Sequence, residues 1–374
     1  MTANKRITSI DALRGFDMLM LCGGALVLRL LLQAIWGADL PKEVESQFFH
    51  ANWGGDFTCW DLVMPLFIFT TGASMPFAFS KYRELGGNHW RLATTWRVAR
   101  RVLILFLLGM LVQGNLASAD ADKMSLFCNT LQAIAEGYFI AAIVLMFFKL
   151  RGQLIMCLTS LVVYWALLRF VPFNNHEGGT FEAQHNLALY IDCLIQGKWQ
   201  DGTPYTWILT ALSFGALTLM GSICGTIIKE HQGIKTALYL TIAGGACLGA
   251  ACLLEFDTPL IKHIYTTTCV LWAGGWCVIL LALFHLIFDY YQHLSSYLAI
   301  PLQIFGCNAI LAYLLTNVYA PNGGSMWNGL INPLIYGLAR ESAPYSALTH
   351  SFLSLCLLSL LLYFLFRKKI FLKV

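Results

Sequence analysis

From end to end this chain is a succession of long apolar runs joined by short polar links. Ten runs fall near residues 16–36, 58–79, 98–114, 128–148, 154–171, 206–228, 236–254, 264–288, 299–320 and 346–366. A helix of about 20 apolar residues crosses the roughly 30 Å hydrocarbon layer of a bilayer. Within lipid every backbone polar group must be satisfied internally, and unbroken apolar runs of this length do so as helices. The expected fold is therefore an all-α polytopic membrane protein of about ten transmembrane helices, forming a single domain over 1–374. The stretch Met326–Leu338 is apolar but short and contains Pro333, so it reads as a re-entrant or interfacial piece, with an eleventh span as the alternative. Composition supports this class: charged residues are only 12% of the chain and mean hydropathy is +0.65, against about 25% charged residues in soluble domains.

The same figures exclude other classes. A net charge of +4 and a pI near 8.4 leave no basic footprint, so no nucleic-acid partner is expected. The 12 cysteines lie mostly inside apolar runs and form no C-x-x-C pair, so neither a zinc site nor a redox motif is expected, and no metal. No small-residue cleavage site follows the first run, which is kept as a span.

Lys and Arg set the expected orientation. With the N-terminus inside, the inside segments hold seventeen of them and the outside segments six, with Arg29 inside the first span. Both termini are therefore expected in the cytoplasm, with loops 37–57 and 172–205 outside. The longer of these carries Asn174, Asn175, His176, Glu177, His185, Asp192 and Trp199, a mixture that suits a sugar-like ligand and equally a solvated, partly helical loop.

Four constellations can carry chemistry. At the inner mouth of the first span, Asp11 and Arg14 are three residues apart and share a helix face; an interfacial anchor is the plainer reading. Running into the second span from outside are His50, Asn52, Trp53, Asp56 and Asp61. A histidine there can accept a proton near neutral pH while a carboxylate fixes its tautomer, and an acid at the apolar boundary, such as Asp61, needs a partner or a task. In the fourth span Gln132 and Glu136 lie four apart on one face, either facing a cavity or bonding between helices. The fourth is the segment from Lys81 to Arg101, which includes Arg97. Its six basic residues satisfy the positive-inside rule and also suit a phosphorylated cytosolic ligand.

These residues carry a resemblance. Ser9-x-Asp11-Ala-Leu-Arg14-Gly-Phe-Asp-Met18, then His50-x-x-Trp53-x-Gly55, then Asp61-Leu-Val-Met-Pro65 through Gly72 resemble the heparan-α-glucosaminide N-acetyltransferase family, in its bacterial DUF5009-like branch. Leu131-Gln132-x-Ile134, Tyr265-Thr266-Thr267 and Phe305-Gly306-Cys307-Asn308 agree with it. The resemblance implies acetyl-CoA as cytosolic co-substrate, an amino sugar of glucosamine type as outside acceptor, and a bacterial inner-membrane location. It makes His50 the catalytic residue, as base or transient acetyl carrier, oriented by Asp61 or Asp56. Asn52 is then the candidate oxyanion donor, because the family's asparagine in the outer half of the first span is replaced by Cys22-Gly23-Gly24-Ala25. Asp11, Arg14, Lys81, Arg97 and Arg101 become candidates for holding the CoA phosphates, and Trp53, Gln132, Glu136 and Asn308 for binding the acceptor. The partners are thus the bilayer, a glycan acceptor and, compatibly, a second copy of the chain. O-acetylation of an envelope glycan and transport of small sugars or anions remain the alternatives.

Overall fold

The computed structural model describes residues 7–37, 39–83, 89–113, 124–231, 233–318, 324–342 and 345–372. These residues are helical throughout apart from links and two isolated bridge pairs, Phe173 with His176 and Phe181 with Asn186. The α-helices are α1 (Thr8–Leu19), α2 (Ala25–Trp36), the single turn α3 (Lys42–Glu45), α4 (Val63–Arg83), α5 (His89–Val112), α6 (Thr130–Phe147), α7 (Leu150–Phe170) and α8 (Leu187–Gln196). They continue as α9 (Ala211–Glu230), α10 (Ile234–Leu254), α11 (Thr267–His285), α12 (Gln292–Cys307), α13 (Ala309–Asn317), α14 (Met326–Glu341) and α15 (Ser346–Arg367). Among the described residues eight helices are long and apolar enough to cross a membrane, or nine if the bent pair α12–α13 is one span.

The difference from the expected ten has local causes. α5 occupies the place of the third run but starts earlier, at His89, and takes in Arg91, Arg97, Arg100 and Arg101. The run 299–320 is not one rod: α12 and α13 meet at Asn308 with a bend of 68°. α14, the short stretch expected beside the ten rather than among them, has 16 residues with Pro333 inside it. The first run begins earlier than its apolar part, at Thr8, and α1 passes into α2 through one wide turn, Met20–Gly24, where Gly23 adopts φ 128°. Only glycine enters that region without strain.

α4, α6 and α9 are the most buried spans, and α15 the least. Two crossings are closed by glycines that leave backbone against backbone. A methyl group at Gly72 of α4 would overlap the Thr218 carbonyl of α9, and one at Gly221 of α9 would overlap the Phe69 carbonyl of α4. Likewise a methyl at Gly15 of α1 would strike the Leu302 carbonyl of α12, and one at Gly306 the Asp11 carbonyl. Small residues at such contacts let helices gain dispersion and packing where lipid offers no hydrophobic drive. The break at Asn308 serves the same end of the bundle. Its Nδ2 donates to the Ile370 carbonyl (3.1 Å) and its Oδ1 accepts from Leu372 N–H (3.1 Å), so the tail folds back under α12.

Because backbone cannot yield as a flexible side chain does, Gly221→Ala should destabilise the folded protein by about 1–3 kcal/mol or more. Thermal unfolding in detergent should show a lowered midpoint, whereas Gly245→Ala, where a methyl meets open space, should leave it within error.

Candidate active site

The site is assembled from two loops and the start of α4. The loop 49–59 is wound around one carboxylate. Asp61 sits in a single 3-10 turn, Trp60–Leu62, that leads into α4, and is 1% exposed. Its Oδ2 accepts from the N–H groups of Ala51 (3.1 Å) and Thr58 (3.2 Å), while the Thr58 hydroxyl donates to the Phe49 carbonyl (2.7 Å). A buried carboxylate with backbone donors around it fixes the loop that supplies them. The loop in turn presents His50.

The second loop, Thr258–Thr266, is equally tied down. The Thr266 hydroxyl donates to the Pro259 carbonyl (2.9 Å) and accepts from Ile261 N–H (3.2 Å), Ser213 Oγ donates to the Tyr265 carbonyl (2.9 Å), and the Tyr164 hydroxyl donates to the Ile264 carbonyl. This frame drives Lys262, 7% exposed, into the first loop. Lys262 Nζ lies 2.9 Å from Asp61 Oδ1 and 2.8 Å from His50 Nδ1, and His50 Nδ1 lies 2.9 Å from Asp61 Oδ1. The three atoms form a nearly equilateral triangle. Burial pushes the Lys262 amine below the usual ammonium range, and the neighbouring Asp61 opposes that shift. Burial and the Lys262 charge likewise lower His263, while burial and Asp61 raise Tyr205.

His50 and Lys262 open on a cavity of about 400 Å³, also lined by Trp60, Gln113, Asn129, Asp201, Thr203, Tyr205, Trp207 and Asn317. A second cavity, of about 390 Å³, lies toward the Arg14 end of the bundle. Arg14, Arg97 and Arg101 line it, with Thr71, Ser74 and the tail residues Phe371 and Leu372. Arg14 Nη2 donates to the Thr70 carbonyl (3.1 Å). Arg101 lies over the Tyr138 ring at 4.3 Å, and its buried Nε has no hydrogen-bond partner among the described residues. Phe67, Thr130 and Tyr313 line both cavities, so the two are adjacent. The Tyr313 hydroxyl donates to Asn129 Oδ1 (3.1 Å), the side chain that caps α6.

The other expected site residues fall elsewhere. Asn52 and Asp56 are exposed on the loop and line neither cavity; the carboxylate beside His50 is that of Asp61. Trp53 donates from Nε1 to the Phe181 carbonyl (2.8 Å) and stacks on His263 (5.1 Å), fastening the His50 loop to the segment 172–205. Gln132 completes the α6 capping box, accepting from Cys128 and Asn129 N–H and donating to the Leu126 carbonyl. Glu136 of α6 is half-buried and lines neither cavity, and its buried Oε2 has no hydrogen-bond partner among the described residues. Asn308 holds the tail, and Asp11 packs at the α1–α12 crossing beside the Arg14 cavity without lining it. The Lys81 side chain lies outside the described residues. Among the described residues no group of three or more His, Cys, Asp or Glu is placed to hold a metal ion.

A family model described as a domain of unknown function, DUF5009, matches residues 6–195, just over half of the 374 residues. The chain belongs to the DUF5009 family. No curated protein matches it. His50, Asp61 and the three arginines lie inside the matched DUF5009 region, whereas Lys262 and Tyr313 lie beyond it. Sequence reasoning missed Lys262, although a lysine heading an apolar run on the side otherwise poor in cations was a usable signal.

One further carboxyl positions the cavity wall. Asp192 of α8 accepts from the N–H groups of Trp207 (2.7 Å) and Ile208 (3.0 Å) and so sets the entry into α9. Burial raises it to about 6, against these stabilising backbone donors. An unfolded aspartate titrates near 4, so between about 4 and 6 the folded state binds the extra proton. Its contribution to stability is thus complete below the unfolded value and is lost as pH rises through about 6. The difference in unfolding midpoint between wild type and Asp192→Asn should shrink as pH rises through this window; a difference that widens would contradict the assignment.

Proposed function

We propose that this chain is a membrane acetyltransferase that takes the acetyl group of acetyl-CoA at its Arg14 end and delivers it to an amino sugar at its His50 end. The observation that carries this reading is the pair of cavities. One is lined by arginines, the other holds a histidine with a buried carboxylate and amine, and Phe67, Thr130 and Tyr313 line both. The resemblance of the His50–Gly72 block to heparan-α-glucosaminide N-acetyltransferases points the same way. The charge bias supports the Arg14 end as cytosolic and the His50 end as outside, and the resemblance implies a bacterial inner membrane.

The donor set fits the co-substrate. Arg14, Arg97 and Arg101 present guanidinium groups suited to phosphate, and the buried, unpartnered Arg101 Nε is a donor without an acceptor. A pantetheine arm is narrow enough to bring its thioester toward the shared wall while the nucleotide stays with the arginines. On the other side, Tyr205 and Trp207 offer faces for a sugar ring, and Asp201 and Asn317 offer polar partners. His50 Nε2, which has no hydrogen bond among the described residues, takes a proton from the acceptor amine as that nitrogen bonds to the acetyl carbon. The C–S bond then breaks, and CoA leaves as thiolate and is protonated.

Transport of small sugars or anions is the rival, because a transporter also presents cavities on both faces of a closed wall. Consumption of acetyl-CoA separates the two. Purified protein with labelled acetyl-CoA and glucosamine should form labelled N-acetyl product, with His50→Ala slower by about 10²–10⁴-fold. Arg101→Gln should raise the apparent KM for acetyl-CoA and leave that for the sugar unchanged. Wild-type turnover in His50→Ala, or no acetyl-CoA consumption by any preparation, would overturn the reading.

A further inference from the structure

The triangle of His50 Nδ1, Asp61 Oδ1 and Lys262 Nζ has three edges of 2.8–2.9 Å. Nδ1 offers one in-plane position, which holds either a proton or a lone pair. If Lys262 is an ammonium, it can donate to Asp61 and to Nδ1 together. Nδ1 is then bare, and neutral His50 carries its proton on Nε2. If Nδ1 instead carries the proton and donates to Asp61, a charged Lys262 would press a second donor against it at 2.8 Å. That conflict disappears only when Lys262 is an uncharged amine, able to accept from Nδ1–H while donating to Asp61. The charge of Lys262 and the tautomer of His50 are therefore a single variable.

We propose that Lys262 is a positioning residue that sets the tautomer of His50, exposing the Nε2 lone pair to the cavity only when the Lys262 amine is uncharged. With Lys262 charged, Nε2–H is a donor and can neither abstract a proton nor attack a carbonyl. Passing one proton from Lys262 to Nδ1 while Nε2–H loses its own to solvent converts the ring to a base, with no change in the charge of His50. The buried setting makes this exchange accessible, because burial draws the Lys262 amine down while Asp61 holds it up. The other ionisable groups around Lys262 are His263 on its own loop, Tyr205 on the loop before α9 and Cys269 on α11. None of them is within hydrogen-bond reach of Nζ, so Asp61 and His50 remain its direct partners.

The consequence for catalysis rests on the acetyl-transfer reading, but the tautomer does not, and the test needs no acetyl-CoA. Protein labelled with ¹⁵N-histidine is reconstituted in lipid bilayers, and the His50 signals are identified by their loss in His50→Gln. Solid-state NMR then reports which ring nitrogen bears hydrogen as pH is scanned between roughly 6 and 10, from the ordinary imidazole value to the ordinary ammonium value. In wild type the neutral ring should pass from Nε2–H to Nδ1–H in a single step. In Lys262→Met that step should be absent and the neutral ring should be Nδ1–H throughout, donating to Asp61. Asp61 keeps the N–H groups of Ala51 and Thr58 in this variant, and the wild-type scan stands by itself if the variant fails to fold. One unchanging neutral tautomer across the wild-type scan, or the wild-type step persisting in Lys262→Met, would overturn the inference. A clear step in a protein that consumes no acetyl-CoA would sink the acetyltransferase reading alone.

Discussion

Asp61, 1% exposed, is the hub on which the His50 end of the molecule depends. A carboxylate out of water is stabilised only by close donors and opposite charge, and removing one partner of a buried ion pair costs about 3–5 kcal/mol. Asp61 draws its donors from the loop before α4 and its cation from the loop before α11, about 200 residues away in sequence. Each loop is thereby held by the other. His50, itself half exposed, inherits its position from this contact rather than from its own packing.

The helical frame makes room for that contact and limits what surrounds it. Glycine-tight crossings bring α4 onto α9 and α1 onto α12 with backbone in contact, so these pairs act as stiff walls. α12 then breaks at Asn308 and turns away, and Tyr313 of α13 lines both cavities. Chemistry across a membrane needs the two reactants close but their aqueous compartments apart. On the acetyl-transfer proposal Phe67, Thr130 and Tyr313, which line both cavities, would meet both needs, with arginines on one side and an imidazole on the other.

The periodic apolar runs made the all-helical membrane fold legible, because a span must be long, apolar and helical to exist in lipid. They could not show that α5 would start at His89 and take in four arginines or that α12 and α13 would part at Asn308. Those outcomes depend on neighbours rather than on local hydropathy. At the site, His50 and Asp61 were readable because an acid and an imidazole eleven residues apart at an apolar boundary are unusual. Asn52 and Asp56, their neighbours in sequence, point elsewhere because the loop folds around a single carboxylate. Gln132 and Asn308 stood out as polar residues in apolar runs, and the structure uses them to cap α6 and hold the tail. Lys262 stood out locally as a lysine heading an apolar run, but its partners near residue 50 were hidden by distance along the chain.

Transfer across the membrane can be read from the side on which product forms. Sealed proteoliposomes carrying glucosamine inside are given labelled acetyl-CoA outside, and the lumenal sugar is recovered. The account predicts labelled N-acetylglucosamine in the lumen, and none in the outside medium when the sugar is supplied only there. Product formed only when donor and sugar share one compartment would contradict it.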